Sequence, residues 1–138
     1  IRAALADIGI AVTTRVTETP TDAARAGDFD LLLWAQHTLP AGDPAFFLSL
    51  FLSADGGNNF ARWSNPAFDA IVRALGETID PNARIRLARE AQAVATDAAP
   101  VVFLMTPKWH VGLSARLADY RPWGSDYYVL RPDLRVPR

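Results

Sequence analysis

The side chains best suited to recognising a small molecule stand close together at Trp34, Gln36 and His37. An indole brings an apolar face and one donor, a carboxamide brings donors and an acceptor, and a neutral imidazole brings one of each. The three end a short apolar run, Leu31 to Leu33, that reads as a buried strand. A turn follows at Pro40-Ala41-Gly42, and then a helix start, with Asp43 as N-cap and Pro44 at the first helical position. Open α/β sheets place ligands outside the carboxyl ends of their strands, so this junction is the expected binding site. Two readings of His37 stay open, a loop histidine bonded to backbone and a ligand contact. A second group, Trp123-Gly124-Ser125-Asp126, combines a ring that can stack with small polar groups that can hydrogen-bond. Its bland counterpart is a turn with a packing indole.

Catalysis finds less footing. His37 and His110 are the two histidines, no H-x-x-x-H spacing exists and there is no cysteine, so a metal site held wholly by this chain would need carboxylates. His110, between Trp109 and Val111, reads as a half-buried strand histidine. Gly112-Leu113-Ser114-Ala115-Arg116 lacks the second glycine of a nucleophile elbow, which leaves Ser114 as a turn or cap serine. Gly56-Gly57-Asn58-Asn59 has no Lys-Ser/Thr partner and opens no helix, so it is not a phosphate loop. The alternative from another class is a small hydrolase that uses His37 or His110 with an aspartate.

The elements that must position these groups alternate in type. Ile1, Leu5 and Ile8 recur at helical spacing with Gly9 as the closing residue, and Ile10 to Val16 alternates as a strand. A short helix is predicted from Thr19 to Ala26, closed by Gly27, and a second strand from Asp30 to Gln36. The helix after Asp43-Pro44 carries Phe46, Phe47, Leu50 and Phe51 toward the core, and residues 53–59 form a loop. Asn65-Pro66 opens a helix with Phe68, Ile71, Val72 and Leu75 inward. Asp80-Pro81 opens another that runs to about Ala98, with Leu87, Ala91, Val94 and Ala98 inward and Arg84, Arg86, Arg89 and Glu90 outward. Val101 to Met105 and Trp109 to Leu113 read as strands, and residues 119–138 as an irregular, aromatic tail that packs back. Helices alternating with strands over short connections predict one α/β lobe spanning residues 1–138.

Composition narrows the partners. The chain has 138 residues, half of them hydrophobic, with 14 basic and 15 acidic side chains and a net charge of −1. This is one domain's worth of core, with no basic footprint for nucleic acid and no apolar stretch of transmembrane length. The first residue is Ile1 and it falls inside an amphipathic pattern, so the chain is expected to be a fragment of a longer protein.

Several pieces, taken in order, resemble the peptide/nickel/opine-binding family of ABC-importer receptors. They are Ile8-Gly9-Ile10-Ala11-Val12, Gly27-Asp28-Phe29-Asp30-Leu31 and Gly42-Asp43-Pro44. Then come Asn59 with Trp63-Ser64-Asn65-Pro66-Ala67-Phe68-Asp69, and Asp80 through Arg84 to Glu90-Ala91-Gln92. Ala99-Pro100-Val101-Val102-Phe103 and the segment from Trp109 to Leu134 complete the set. The resemblance implies the C-terminal lobe of a two-lobed periplasmic-binding-protein-like fold, extracytoplasmic, without catalysis, that closes over a solute and serves a membrane permease. Peptide-binding relatives place an acidic residue for the peptide ammonium where this chain has His37 or, in another register, Pro40. Nickel-binding relatives hold the metal inside a small organic chelate, and Ser125 falls where they place a hydroxyl. The implied ligand is a nickel chelate or a short peptide, with nickel entering as part of the ligand rather than as a resident cofactor. The implied contacts are Trp34 and Trp123 as walls, Gln36 and Ser125 as hydrogen-bonding groups, and His37 at the ligand or its metal.

Overall fold

Helices in this chain start and stop where its capping residues stand. The computed structural model describes residues 1–38, 42–108, 110–117 and 119–121, in two units, 1–102 and 103–138. In the first unit, α1 (Arg2–Ala6) is followed by Gly9 at φ 82°, and α2 (Pro20–Ala26) ends on Gly27 at φ 70°, whose N–H returns to the Ala23 carbonyl at 3.2 Å. Asp43 caps α3 (Ala45–Phe47), its Oδ1 accepting from the Ala45 N–H at 2.9 Å. A π-helical turn (Leu48–Leu52) continues α3, closed by the Ser53 N–H on the Leu48 carbonyl at 3.1 Å.

Asn65 opens α4 (Pro66–Glu77) by accepting from the N–H groups of Ala67 at 3.0 Å and Phe68 at 3.2 Å. Asp80 opens α5 (Pro81–Ala98) by accepting from Ala83 N–H at 2.8 Å. Left-handed Ala99 at φ 47° and then Pro100 end it. In the second unit the described residues include a 3-10 turn, Ala115–Leu117, entered from the Ser114 carbonyl.

The core lies where α4, α5 and the π-helical turn meet. From α4, Phe68, Val72 and Leu75 are buried and Ile71 is half-buried, the face its spacing predicts. From α5 the buried residues are Ala88, Ala91 and Ala95, while Leu87 and Val94 are half-buried and Ala98 is exposed. The stripe is therefore rotated from the predicted Leu87-Ala91-Val94-Ala98. Alanines at its centre let the two helix backbones approach, and the larger side chains flank the contact.

The π-helical turn moves the third face in the same way. Because an i to i+5 turn takes in an extra residue, burial passes to Leu48, Phe51 and Leu52, and Phe46 stays 36% exposed. Each fully buried Phe or Leu here contributes about 1.5–3 kcal/mol from removal of its apolar surface from water. The loop after this turn is folded tightly. Asn59 donates to the carbonyls of Ser53 at 3.0 Å and Trp63 at 2.7 Å and accepts from the Trp63 N–H at 3.1 Å. A methyl group at Gly56 would lie 2.5 Å from the Ser49 carbonyl oxygen, so only glycine fits there.

The predicted strands differ most. Among the described residues no β-ladder forms, and residues 10–16, 30–36, 101–105 and 110–113 run without strand pairing. Their apolar side chains face solvent: Val16 is 91% exposed, Leu33 75% and Met105 81%. The reason is physical. A helix satisfies its backbone within its own segment, whereas a strand exists only through ladder bonds to a neighbour. Arg15, in the first of these segments, is tied to the residues that precede the second. Arg15 pairs with the Asp28 carboxylate at 2.8 Å and donates to its carbonyl at 2.6 Å, an exposed bond of small energy. Among the described residues no helix is long and apolar enough to cross a membrane.

Candidate ligand-binding site

The apolar run at Leu31–Leu33 delivers Trp34 to the edge of the core, and there the chain is fixed by aromatic contacts. The half-buried Trp34 ring lies 5.1 Å from Phe60, tilted by 58°. Phe60 meets Phe51 edge-on at 6.5 Å, and Phe51 stacks on Phe47 at 5.2 Å. Pairs in such offset and tilted geometries each add about 0.5–1.5 kcal/mol beyond their buried area. Trp34 is thus joined to the core through a line of rings, and one of its faces is already used.

The polar groups beside it are connected in sequence. The Trp34 indole N–H donates to Gln36 Oε1 at 3.3 Å, and Gln36 Nε2 donates to the His37 carbonyl at 3.1 Å. An amide has two donor hydrogens and two acceptor lone pairs, so Gln36 retains one of each for a ligand. Its side chain is exposed and His37 is half-buried. Trp34 and Gln36 are therefore bonded through their side chains, and Gln36 to the backbone of His37. The other two predicted contacts, Trp123 and Ser125, lie outside the described residues, as do Pro40 and Trp109. His110, expected to be half-buried in a strand, is exposed and belongs to the second unit. The described residues contain no group of three histidine, aspartate or glutamate side chains placed to hold a metal ion.

Sequence reading missed how the far end of this segment is held. Arg84, predicted to point outward from α5, is half-buried. Its Nη1 donates to the carbonyls of Leu75 and Thr78, each at 2.7 Å, and its Nη2 pairs with Asp43 Oδ2 at 2.5 Å. The physical cause is local. The C-terminus of α4 leaves carbonyls without helical partners, and an arginine one turn into α5 can reach them across the short connection. Phe60 was also missed, because its role depends on a loop fold that periodicity does not reveal. A 390 Å³ surface hollow lined by Ser49, Ser53, Asp55, Asp69 and Arg73 lies on the described part as well. Asp69 already accepts from the Ala54 N–H there at 3.0 Å.

Comparison with known proteins gives this geometry a context. The chain is 39% identical over 115 residues to Di/tripeptide-binding protein 4 of Pseudomonas aeruginosa, covering 78% of the chain and 21% of that relative. It is 33% identical over 69 residues to Oligopeptide-binding protein OppA of Bacillus subtilis, covering 49% of the chain and 13% of that protein. Di/tripeptide-binding protein 2 of P. aeruginosa is 30% identical over 126 residues, 88% of the chain and 24% of the relative. The chain therefore spans no more than about a quarter of the length of these relatives. No family model matches it, and no solved structure matches it. Over the stretch they share, the chain is similar to dipeptide- and oligopeptide-binding proteins, as expected of a fragment of a peptide-binding family solute-binding protein.

Proposed function

We propose that the chain is part of an extracytoplasmic solute-binding protein that captures short peptides for an ABC importer. The observation that carries this reading is the 39% identity, across 78% of the chain, to a di/tripeptide-binding protein. The chemistry at Trp34, Gln36 and His37 agrees with it. A peptide backbone presents alternating donors and acceptors, and the Gln36 carboxamide carries both. A peptide ammonium, in contrast, calls for a carboxylate, which this segment does not place at His37 or Pro40.

In this reading the chain is the C-terminal α/β lobe of a two-lobed receptor, and residues 10–16 and 30–36 gain strand partners in the complete protein. Trp34 and Trp123 wall the ligand, Gln36 and Ser125 hydrogen-bond it, and His37 touches its backbone. The lobes close around the peptide by a hinge motion and present it to a membrane permease, with no chemical turnover. The nickel-chelate reading rests on His37 and Ser125, whereas these relatives are named for peptides.

Native mass spectrometry of the complete protein, purified without chelators, separates the two. A ladder of short-peptide masses without metal is the expected result. A single mass containing nickel and a small organic ligand would replace the peptide reading, and hydrolysis of added peptides would replace the receptor reading.

A further inference from the structure

We propose that Asn59 is a positioning residue for the ligand wall at Trp34 and that it acts through Phe60. Its amide closes the 53–63 loop on itself. Nδ2 donates to the Ser53 carbonyl at 3.0 Å and the Trp63 carbonyl at 2.7 Å, and Oδ1 accepts from the Trp63 N–H at 3.1 Å. The Asn59 carbonyl also accepts from the Arg62 N–H at 3.0 Å. Both amide hydrogens are thereby engaged within the protein, so the side chain offers no donor to a ligand. What it holds instead is the residue that follows it, Phe60.

Arg62 is a second sign that the loop is held in one arrangement. Its backbone is left-handed, at φ 51°, a region that a residue with a Cβ keeps only where its surroundings impose it. Those surroundings include Asn59, which bonds Arg62 through its carbonyl and Trp63 through its amide. The loop so held meets the stretch that leads to the site at two places. The Phe60 ring lies 5.1 Å from Trp34 and 6.5 Å from Phe51. Upstream, a Cβ at left-handed Gly27 would collide with Arg62 Nη2 and lie 3.0 Å from its Cζ, so the guanidinium rests on that glycine. Without the Asn59 bonds the loop gains conformations, Phe60 leaves its place, and Trp34 spends less time in the orientation that a ligand meets.

The inference rests on the peptide-receptor reading for its affinity test only, and a spectroscopic measurement keeps the two separable. Fluorine NMR of the complete protein labelled with 5-fluorotryptophan observes Trp34 directly, its signal identified by its loss in Trp34→Phe. Phe60→Leu removes the neighbouring ring and sets the shift that loss of this contact produces. Asn59→Ala should move the Trp34 signal toward that position. The control is Asn65→Ala, which removes the cap of α4 and should lower stability while leaving the Trp34 signal in place. In calorimetry, a competent population reduced to about a tenth weakens dipeptide affinity about tenfold. Asn59→Ala and Phe60→Leu should each show a loss of that order, and the double variant should lose no more than the weaker single one, since both changes act on one contact. If Asn59→Ala does not fold, Asn59→Asp takes its place with the same expected results, because it keeps an acceptor for the Trp63 N–H and has no donor for the two carbonyls. An unmoved Trp34 signal in the folded Asn59 variant overturns the proposal, as does an equal shift in Asn65→Ala. A moved signal with unchanged dipeptide affinity overturns it too, and so do additive losses in the double variant. If the parent protein binds no dipeptide, the receptor reading fails on its own, and the fluorine signal alone decides whether Asn59 positions Trp34.

Discussion

Trp34 gives its indole N–H to Gln36, and Gln36 gives an amide hydrogen to the His37 carbonyl, so the Trp34 and Gln36 side chains are ordered relative to the backbone at His37. Ordering in advance lowers the entropy that binding must overcome. His37→Ala removes one donor–acceptor ring from this set and leaves the Gln36 bond to the backbone intact. Loss of a hydrogen bond of about 0.5–1.5 kcal/mol should weaken dipeptide binding by the complete protein about two- to tenfold, read by calorimetry. Unchanged affinity would remove His37 from the site. At this scale the sequence is legible where residue type alone carries the information. Indole, carboxamide and imidazole in one short stretch are visible as hydrogen-bonding capacity before any fold is known. Arg84 was not legible, because an arginine on a helix reads as solvated until the carbonyls it reaches, six and nine residues earlier at Thr78 and Leu75, are placed beside it.

Helix boundaries were the most readable elements, since an Asx-Pro pair encodes both a cap and a fixed φ within two residues. Asn65 and Asp80 both cap as their sequences predict. Asn65→Ala leaves two N–H groups of α4 without that partner and should lower stability by about 1 kcal/mol in chemical denaturation. A deeper cut comes from Leu75→Ala. Leu75 is 0% exposed between α4 and α5, so truncation opens a cavity and should cost about 2–5 kcal/mol. A loss below half a kcal/mol would mean that the α4 face is assigned to the wrong side. Two features of the elements escape pattern reading. The π-helical turn at Leu48–Leu52 shifts the buried face by a residue, and nothing in an apolar run distinguishes i+4 from i+5 bonding. The alternation in residues 10–16 is a strand pattern whose ladder depends on a neighbour, which local sequence does not supply.

The molecule as a whole combines a close-packed helical core with extended segments that show their apolar side chains to solvent. Leu31 is 69% exposed, Val102 76% and Phe103 68%. Apolar surface of this kind is what dyes and partner surfaces bind, so the 138-residue chain alone should enhance the fluorescence of a hydrophobic dye. No enhancement would mean that these segments are covered within the chain itself. The class of the whole was legible from the order of motifs, because many weak local matches in the right sequence are jointly specific. The architecture was legible only for its helices, since sheet formation is a property of pairs of segments.

One exposed residue in those segments has a chemical consequence. Met105 is the single methionine of the chain and is 81% exposed. Its thioether is therefore open to mild peroxide, which turns an apolar side chain into a polar sulfoxide. Oxidation is therefore expected to be fast in the 138-residue chain, where residues 101–105 run without strand pairing, and its slowing reports any partner that covers them. Once oxidised, the same side chain is polar and opposes burial of residues 101–105 against an apolar partner, so coverage before oxidation and coverage after it are different events.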